Sequence, residues 1–468
     1  MLRRLLVVIV ALAALAAAPH AGAQTAAVPS DAEIRRILVE RIDVQKQSVG
    51  IVVGVIDSSG RRIVPYGRLA SNDERVLDGD TVYEIGSITK VFTSLLLADA
   101  VNRGEVALTD PVADFLPERV RMPERGGRVI TLEDLATHTS GLPRLPTNFS
   151  PKDPANPYAD YSFENLYSFL SGYQLTRDPG AQYEYSNLGG GLLGHALALR
   201  AGAADYEDLV RTRVLVPLGL TNTAITLSPA MKSRLATGHS QMLETVANWD
   251  LPTLAGAGAL RSTANDMLTF LAANLGFVRT PLAPAMAAML TVRRPTGQPN
   301  LAVALGWHVL TVRGRDLIWH NGGTAGYRTF IGFDPIARVG IVALSNSGTT
   351  VGVDDIGRHL LDASLPLLPP PAPQKTRTEV ALPAHALEPY VGRYQLAPAV
   401  FVTVTREDVH LFVQLTGQGR LEAFPETMKD FFLKAVDAQI TFERDGQGKT
   451  TALVLHQAGR DTRAPRVE

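Results

Sequence analysis

The 468-residue chain carries 45 basic and 46 acidic side chains, a formal net charge of −1 and 46% hydrophobic residues. This balance predicts a globular protein of two or three domains, and it excludes nucleic acid as a partner because that partner selects a strongly basic surface. Cysteine is absent, which excludes disulfides, a cysteine nucleophile and a lipid-modified cysteine anchor.

The first 23 residues are typical of a secretory signal peptide. Arg3 and Arg4 precede a short apolar run, and Ala21-Gly22-Ala23 forms a small-residue cleavage site. The alternative is an uncleaved anchor, but the run is short for a span. We therefore expect cleavage after Ala23, export to the bacterial periplasm or exterior, and no stable membrane span afterwards.

A helix and a hairpin are the first predicted elements of the mature chain. Residues 31–44 carry apolar residues at helical spacing, and residues 49–57 and 62–66 read as strands joined by Ser58-Ser59-Gly60. A turn at Gly86 then leads into a helix whose apolar residues begin at Val91, and we expect this helix to bury one face.

The middle of the chain reads as mainly helical. A capping box of Thr131 and Asp134 predicts a short helix that Gly141 ends. For His138, near that end, a hydrogen bond to backbone is favoured over catalysis. Residues 143–163 form a long loop that either borders an active site or simply covers the surface. Two further helices follow, one beginning with glycine-rich turns after Asn187 and one capped by Ser262 or Thr263.

Strands return near residue 317, and a separate pattern follows residue 383. Residues 317–323, 327–333 and 339–344 predict an antiparallel meander that shares one sheet with the early hairpin, with the helical block inserted between. Residues 366–383 are a proline-rich linker. Beyond it, residues 384–468 alternate apolar and polar side chains, which predicts a small barrel or sandwich.

The chemistry-bearing stretch begins at Ser87. Ser87 and Lys90 form the chain's one Ser-x-x-Lys sequence, and positions three apart share a helix face. A partly desolvated lysine can take the proton of a serine hydroxyl and make it nucleophilic. The alternative is that Ser87 caps the helix and Lys90 is solvated.

Two further motifs also occur once each in the mature chain. Tyr185-Ser186-Asn187 is the one Tyr-x-Asn, and His320-Asn321-Gly322 is the one His-x-Gly. A tyrosine beside a lysine ammonium has its phenolate favoured and can shuttle a proton, while Asn187 can bridge Lys90 and a substrate amide. The alternatives are that Tyr185 is an aromatic residue of the core, that Asn187 is a turn residue and that His320 is a strand histidine with its hydrogen bonds satisfied.

Taken together, these motifs resemble the serine β-lactamase and penicillin-recognising superfamily, nearest its class C, DD-peptidase and esterase branch. The resemblance spans roughly residues 31–350 and includes YEIGSITKVFT, ITLEDLATHTSGLP, YEYSN, GALRSTANDM and HNGGTAGY. It implies an α+β fold, in which helices flank a β-lactamase-like antiparallel sheet and a helical domain is inserted. It also implies that the C-terminal unit is a small all-β, barrel-like domain.

The resemblance implies a role for each matched residue. Ser87 would be the nucleophile, Lys90 its activating partner and Tyr185 the proton shuttle. The backbone N–H groups of Ser87 and Gly323 would form the oxyanion hole. The residues expected to contact substrate are Asn187, His320, Asn321 and Gly322.

His320 departs from the β-lactamases of this branch, which usually carry lysine there. A histidine is only partly charged near neutral pH, so its hold on an antibiotic carboxylate is weaker. The His-x-Gly form resembles D-peptidases, D-aminopeptidases and esterases. We therefore expect peptide or ester substrates, with slow turnover of β-lactams.

Two classes of function remain after the motifs are weighed. The first is a serine hydrolase that acts on a small-molecule or peptide substrate through an acyl-enzyme; the second is a catalytically weak penicillin-recognising sensor. An α/β-hydrolase lacks its Gly-x-Ser-x-Gly, and a metalloenzyme lacks His-Glu-x-x-His, so no metal or cofactor is expected. A homo-oligomer is compatible with the sequence. The expected segments are signal peptide 1–23, hydrolase domain 24–365, linker 366–383 and β-domain 384–468.

Overall fold

A computed structural model of the protein describes most of the mature chain. The segment expected to be a signal peptide lies outside the described residues. The described residues are 28–70, 73, 75–369, 377–397, 400–416, 419–434, 436, 438–457 and 460–467.

The described residues before 366 supply twelve strands and twelve α-helices. The strands are β1 (Gly50–Asp57), β2 (Gly60–Gly67), β3 (Val82–Glu84), β4 (Glu124–Arg125), β5 (Arg128–Val129), β6 (Arg261–Thr263), β7 (Arg294–Pro295), β8 (Leu301–Val303), β9 (His308–Val312), β10 (Arg315–Gly323), β11 (Arg328–Asp334) and β12 (Val339–Ser345). The helices are α1 (Asp31–Val39), α2 (Thr89–Asn102), α3 (Leu132–Ala136), α4 (Phe163–Gly172), α5 (Asn187–Ala201), α6 (Tyr206–Val210), α7 (Val216–Leu218), α8 (Pro229–Lys232), α9 (Ala255–Gly258), α10 (Ala264–Asn274), α11 (Ala283–Ala288) and α12 (Asp354–Leu361).

The main sheet joins the two ends of this domain. Its strand order is β2-β1-β12-β11-β10-β9-β8-β7, with every neighbouring pair antiparallel. The early hairpin and the late meander therefore share one sheet, as the sequence predicts. The helical block inserted between them runs from α2 to α11 along the chain, and the α+β fold class is confirmed.

The helix α2 is buried on all sides, which corrects the expectation of one buried face. Every residue from Thr89 to Ala100 is buried. The helix packs against α5, α9 and α11, so it has no solvent-facing side. Its polar residues Lys90, Thr93 and Asp99 are consequently held within the protein.

Small residues let α5 and α9 approach closely, as the glycine-rich start of α5 predicts. A Cβ added to Gly194 would lie 2.9 Å from the Cα of Gly256. A Cβ on Gly190 would lie 2.9 Å from the Lys90 Cε. Substitution at either position would force neighbouring atoms apart, so glycine is needed for this packing.

The first helix is anchored to the last helix of the domain by a buried ion pair. The π-helical turn Glu40–Val44 continues α1, and its Arg41 pairs with Asp355 of α12. Arg41 also donates to the carbonyl of Gly352 at 2.7 Å. Both charged side chains are almost fully buried, at 2% and 1% exposure, so each depends on the other for compensation.

The C-terminal unit is a barrel-like domain with its own core, which confirms the predicted β-domain. Its helix is α13 (Ala384–Leu387), and a bridge between Tyr394 and Arg466 brings the first strand to the chain end. Across the described part of the chain, no helix combines the length and apolar character that a bilayer span needs. The eight antiparallel strands are β13 (Gly392–Ala397), β14 (Val400–Glu407), β15 (His410–Leu415), β16 (Arg420–Pro425), β17 (Asp430–Leu433), β18 (Ala438–Arg444), β19 (Thr450–Gln457) and β20 (Arg460–Pro465).

Candidate active site

Ser87 lies on a tight turn between β3 and α2. It is the middle residue of the 3₁₀ turn Gly86–Ile88 and remains partly exposed. Gly86 has a φ of +51°, and a Cβ there would lie 2.7 Å from the backbone nitrogen of Gly323. Glycine at position 86 therefore lets this turn pack against the exposed end of β10. This contact brings together the backbones of Ser87 and Gly323, the two expected oxyanion donors.

Lys90 is buried directly beside the Ser87 hydroxyl. Its Nζ lies 3.0 Å from the Ser87 Oγ, 2.9 Å from the Asn187 Oδ1 and 2.7 Å from the carbonyl oxygen of Ala257. Burial, and to a lesser extent the charge of Arg144, hold the pKa of Lys90 well below its usual value. Ser87 makes no cap for α2, so the alternative of a helix cap with a solvated lysine is wrong.

Tyr185 completes the group around Ser87. Its hydroxyl interacts with Ser87, and the Lys90 Nζ lies 4.9 Å from the centroid of its ring. Burial of the hydroxyl raises the pKa of Tyr185 above its ordinary value, although the Ser87 hydrogen bond and the charge of Arg144 act in the opposite direction. The structure thus favours the protonated phenol, not the phenolate expected from the sequence.

Asn187 connects Lys90 to the loop formed by residues 143–163. As the first residue of α5, it accepts from Lys90 through Oδ1, and its Nδ2 lies 3.5 Å from the Tyr158 hydroxyl. Its backbone N–H donates to the carbonyl of Arg144 at 3.0 Å. This loop therefore borders the site, which was one of the two interpretations of its sequence.

The side chains of His320 and Asn321 point in opposite directions because successive strand residues alternate. His320 is near Tyr185, with ring centroids 6.2 Å apart. Asn321 instead donates to the carboxylate of Asp354 on α12 at 2.5 Å, so the structure does not bring its side chain to the site. Gly322 abuts the turn before Ser87, where a Cβ would lie 2.0 Å from the carbonyl oxygen of Ile85.

His320 is buried and uncharged, not partly charged. It is 1% exposed, its Nδ1 lies 2.6 Å from the carbonyl of Asn321, and its Nε2 has no hydrogen-bond partner among the described residues. Burial, reinforced by His308 and Lys90, holds the pKa of His320 well below its ordinary value. The strand therefore offers a neutral imidazole where the β-lactamases of this branch usually carry a cation.

Two more histidines, His138 and His308, lie close to Tyr185 or His320. His138 accepts from the backbone N–H of Ser186 at 3.2 Å, as its sequence context suggested, and its ring lies 4.4 Å from that of Tyr185. His308 lies 5.1 Å from His320, ring to ring, and its Nε2 is 3.2 Å from the Tyr183 hydroxyl. Burial lowers the pKa of both, that of His308 to about 4.

The sequence interpretation missed His308 and Arg144. Arg144 lies over Tyr185, with its guanidinium carbon 5.2 Å from the ring centroid. Neither residue stands in a motif with the nucleophile, so no spacing signal could identify it. Within the described ranges, no cluster of three or more histidines, aspartates and glutamates has the arrangement of a metal site.

The fold and this serine–lysine pair define the class of the protein, and comparison with known proteins identifies its family. The family model described as Beta-lactamase matches residues 34–365, and one described as Domain of unknown function (DUF3471) matches residues 376–465. The chain therefore belongs to the Beta-lactamase family and is a serine hydrolase of its class C-related branch.

Named relatives and solved structures agree with this assignment. The D-alanyl-D-alanine-carboxypeptidase/endopeptidase AmpH of Escherichia coli (strain K12) is 31% identical over 310 residues, which cover 63% of this chain and 78% of that protein. Penicillin-binding protein 4* of Bacillus subtilis (strain 168) is 26% identical over 428 residues, covering 86% and 91%. A β-lactamase/D-alanine carboxypeptidase from Yersinia pestis superposes with a TM-score of 0.62 at 25% identity, covering 72% and 99%.

Proposed function

We propose that the protein is an exported serine hydrolase that cleaves amide or ester bonds through an acyl-enzyme on Ser87. Its substrates are D-amino-acid and cell-wall-type peptides or esters, with β-lactams as slow substrates. The observation that carries the proposal is the buried Lys90 amine 3.0 Å from the Ser87 hydroxyl. A desolvated lysine of lowered pKa is the base that a serine nucleophile requires.

The hydrogen bonds of Lys90 suit a neutral amine. A neutral amine has two N–H donors and one lone pair, and two partners of Nζ are pure acceptors, the Asn187 Oδ1 and the Ala257 carbonyl. The third partner, the Ser87 hydroxyl, can donate its proton to the lone pair. Lys90 is therefore oriented to remove that proton as the Ser87 Oγ bonds to the substrate carbonyl carbon.

The remaining groups act on the tetrahedral intermediate. The backbone N–H groups of Ser87 and Gly323 stabilise its oxyanion. The protonated Tyr185 gives its proton to the leaving amine or alcohol as the bond to the carbonyl carbon breaks, which leaves a Tyr185 phenolate to take a proton from the incoming water and a Lys90 ammonium to return a proton to the Ser87 Oγ. Water then attacks the acyl-enzyme by the same steps in reverse order, releasing the acid and the free serine.

The substrate preference follows from His320 and the relatives. A neutral, buried His320 gives β10 no cation at this position for the carboxylate of a β-lactam, so binding of such antibiotics is weakened. The Escherichia coli relative is named a D-alanyl-D-alanine-carboxypeptidase/endopeptidase, which supports cell-wall-type peptides. Export agrees with that substrate class and with the signal sequence expected at residues 1–23.

Intact-mass spectrometry tests this proposal. The mature protein and its Ser87→Ala variant are exposed separately to a fluorophosphonate and to a penicillin. One adduct per chain that is lost in the variant supports Ser87 as nucleophile, and a long-lived penicillin adduct supports a peptidase-like enzyme. If neither reagent forms an adduct while the protein still binds a penicillin, the sensor function replaces the hydrolase.

A further inference from the structure

Among the described residues, the strand β10 offers no cation at the His320 position, and the nearby Arg328 of β11 already donates to the backbone carbonyls of Thr324 and Tyr327 at 2.8 and 3.1 Å. His138 and His320 lie beside Tyr185, and His308 lies 5.1 Å from His320, ring to ring. Burial keeps all three imidazoles uncharged near neutral pH. Lys90 is also desolvated and is occupied by three partners. A negatively charged substrate group therefore requires a cation elsewhere in the cleft.

Arg144 is a cation on the opposite wall. Its backbone is fixed, because its carbonyl accepts from the N–H groups of Asn187 and Leu188 at 3.0 and 3.2 Å. Its side chain is exposed, and the guanidinium carbon lies 5.2 Å from the centre of the Tyr185 ring. This position places a permanent charge at the mouth of the cleft, beside the proton donor.

The guanidinium of Arg144 lies over the Tyr185 ring and has no carboxylate partner among the described residues. Among the described residues it forms no ion pair, and its N–H groups make no hydrogen bond. The acidic neighbour in the YEYSN segment, Glu184, pairs with Arg177 instead. The charge of Arg144 acts to lower the pKa of Lys90 and of the hydroxyls of Tyr158 and Tyr185, so it lies close to the residues around Ser87.

We propose that Arg144 forms an anion subsite and that the preferred substrates carry a carboxylate on their acyl portion. The inference rests on the proposed acyl-enzyme function and deepens it. Asn187, the residue expected to contact a substrate amide, donates its backbone N–H to the Arg144 carbonyl, so Arg144 lies beside the position expected for that amide. The planar fork of arginine binds a carboxylate through two parallel hydrogen bonds.

A matched pair of chromogenic esters tests the subsite. One is the mono-4-nitrophenyl ester of adipic acid, and the other replaces its free carboxyl by a primary amide, so both share one leaving group. We expect the wild type to prefer the anionic ester. In Arg144→Gln, the ratio of kcat/KM values, anionic over neutral, falls about 10- to 100-fold, mainly through KM. Arg144→Lys keeps part of the preference.

The control variant is Arg121→Gln, which removes the same charge at another exposed arginine. The backbone N–H of Arg121 donates to the Ser171 hydroxyl of α4. This variant should leave the ratio unchanged. The proposal is overturned if wild type shows no preference for the anionic ester, or if Arg144→Gln leaves the ratio as it was. A preference that appears only for a carboxylate on the leaving group would overturn the assignment to the acyl side.

A binding measurement separates this inference from the hydrolase proposal. Thermal unfolding of Ser87→Ala is followed with adipate and with adipamide at constant ionic strength, and then repeated with Arg144→Gln added. Stabilisation by adipate alone, lost without Arg144, supports the subsite even if Ser87 proves not to be the nucleophile. Equal responses to adipate with and without Arg144 contradict the subsite even if the acyl-enzyme forms.

Discussion

Gly190 controls the position of Lys90, the proposed base, and Gly190→Ala should reduce activity without replacing any proposed reacting residue. The new Cβ would lie 2.9 Å from the Cε of Lys90 and 3.2 Å from its Cδ and Cγ. Carbon atoms pack best at about 3.5–4.0 Å, so the lysine side chain must retreat by roughly 0.5–1 Å. Its 3.0 Å contact with the Ser87 Oγ would then be lost or misaligned.

The expected loss is large in rate and small in stability. A misplacement of about 1 Å can cost on the order of 100-fold in rate, so kcat/KM should fall about 10- to 100-fold, or about 1.4–2.7 kcal/mol of transition-state stabilisation. Alanine gains up to about 1 kcal/mol over glycine inside a helix, whereas overpacking costs about 1–3 kcal/mol. The free energy of unfolding should therefore decrease by no more than about 2 kcal/mol.

The assay pairs ester turnover with urea unfolding. Gly172→Ala is the matched control, because Gly172 is the last residue of α4 and a Cβ there meets no atom within 4 Å. It should retain wild-type kinetics. Full activity in Gly190→Ala would show that the position of Lys90 does not limit the reaction. An equal loss of activity in both variants would show that the loss comes from adding a methyl group to a helix and not from displacing Lys90.

Three further predictions test the acid–base assignments and the scaffold. Tyr185→Phe should lower kcat about 100-fold or more on amides but less on 4-nitrophenyl esters, whose leaving group needs no proton; equal losses in steady-state assays would contradict its role as proton donor. Burial lowers the pKa of Lys90, and the neutral amine is the proposed base. The value of kcat/KM should therefore decrease as the pH falls through the pKa of Lys90 and be constant above it. A pH profile without this decrease at low pH would exclude Lys90 as the base. Arg41→Met should lower the free energy of unfolding by about 3–5 kcal/mol, because it leaves Asp355 buried without its ion-pair partner. In urea unfolding, the double variant Arg41→Met/Asp355→Leu should recover much of that loss. No recovery would show that the two residues stabilise the fold through their other contacts.

Local spacing was sufficient to predict the reacting pair and the sheet. Ser87 and Lys90 lie on adjoining turns of one segment, so three-residue spacing alone brings them together. The hairpin and the meander carry strand patterns whose only economical arrangement is one sheet. The capping box of Thr131 and Asp134 is likewise a short-range signal, and both of its hydrogen bonds are present.

Contacts across the fold could not be read from spacing. Arg144 reaches Tyr185, and His308 reaches Tyr183 and His320, from segments far apart in sequence, and neither has a motif of its own. Asn321 follows His320 directly, but strand alternation points it at Asp354 on the other face of the sheet. The phenolate expected for Tyr185 neglected desolvation, which depends on how many elements enclose the hydroxyl and not on its nearest neighbour.

The acyl-enzyme on Ser87 is the central claim, and rapid-quench peptide mapping tests it most directly. The protein is mixed with 4-nitrophenyl acetate, quenched with acid within milliseconds, digested and examined by tandem mass spectrometry. We predict one acetyl group per active site on the Ser87 hydroxyl. This acetyl group should form together with a burst of 4-nitrophenol and should be lost at the turnover rate. Turnover that proceeds with Ser87 unmodified, or an acetyl group on another residue that decays at that rate, would contradict it.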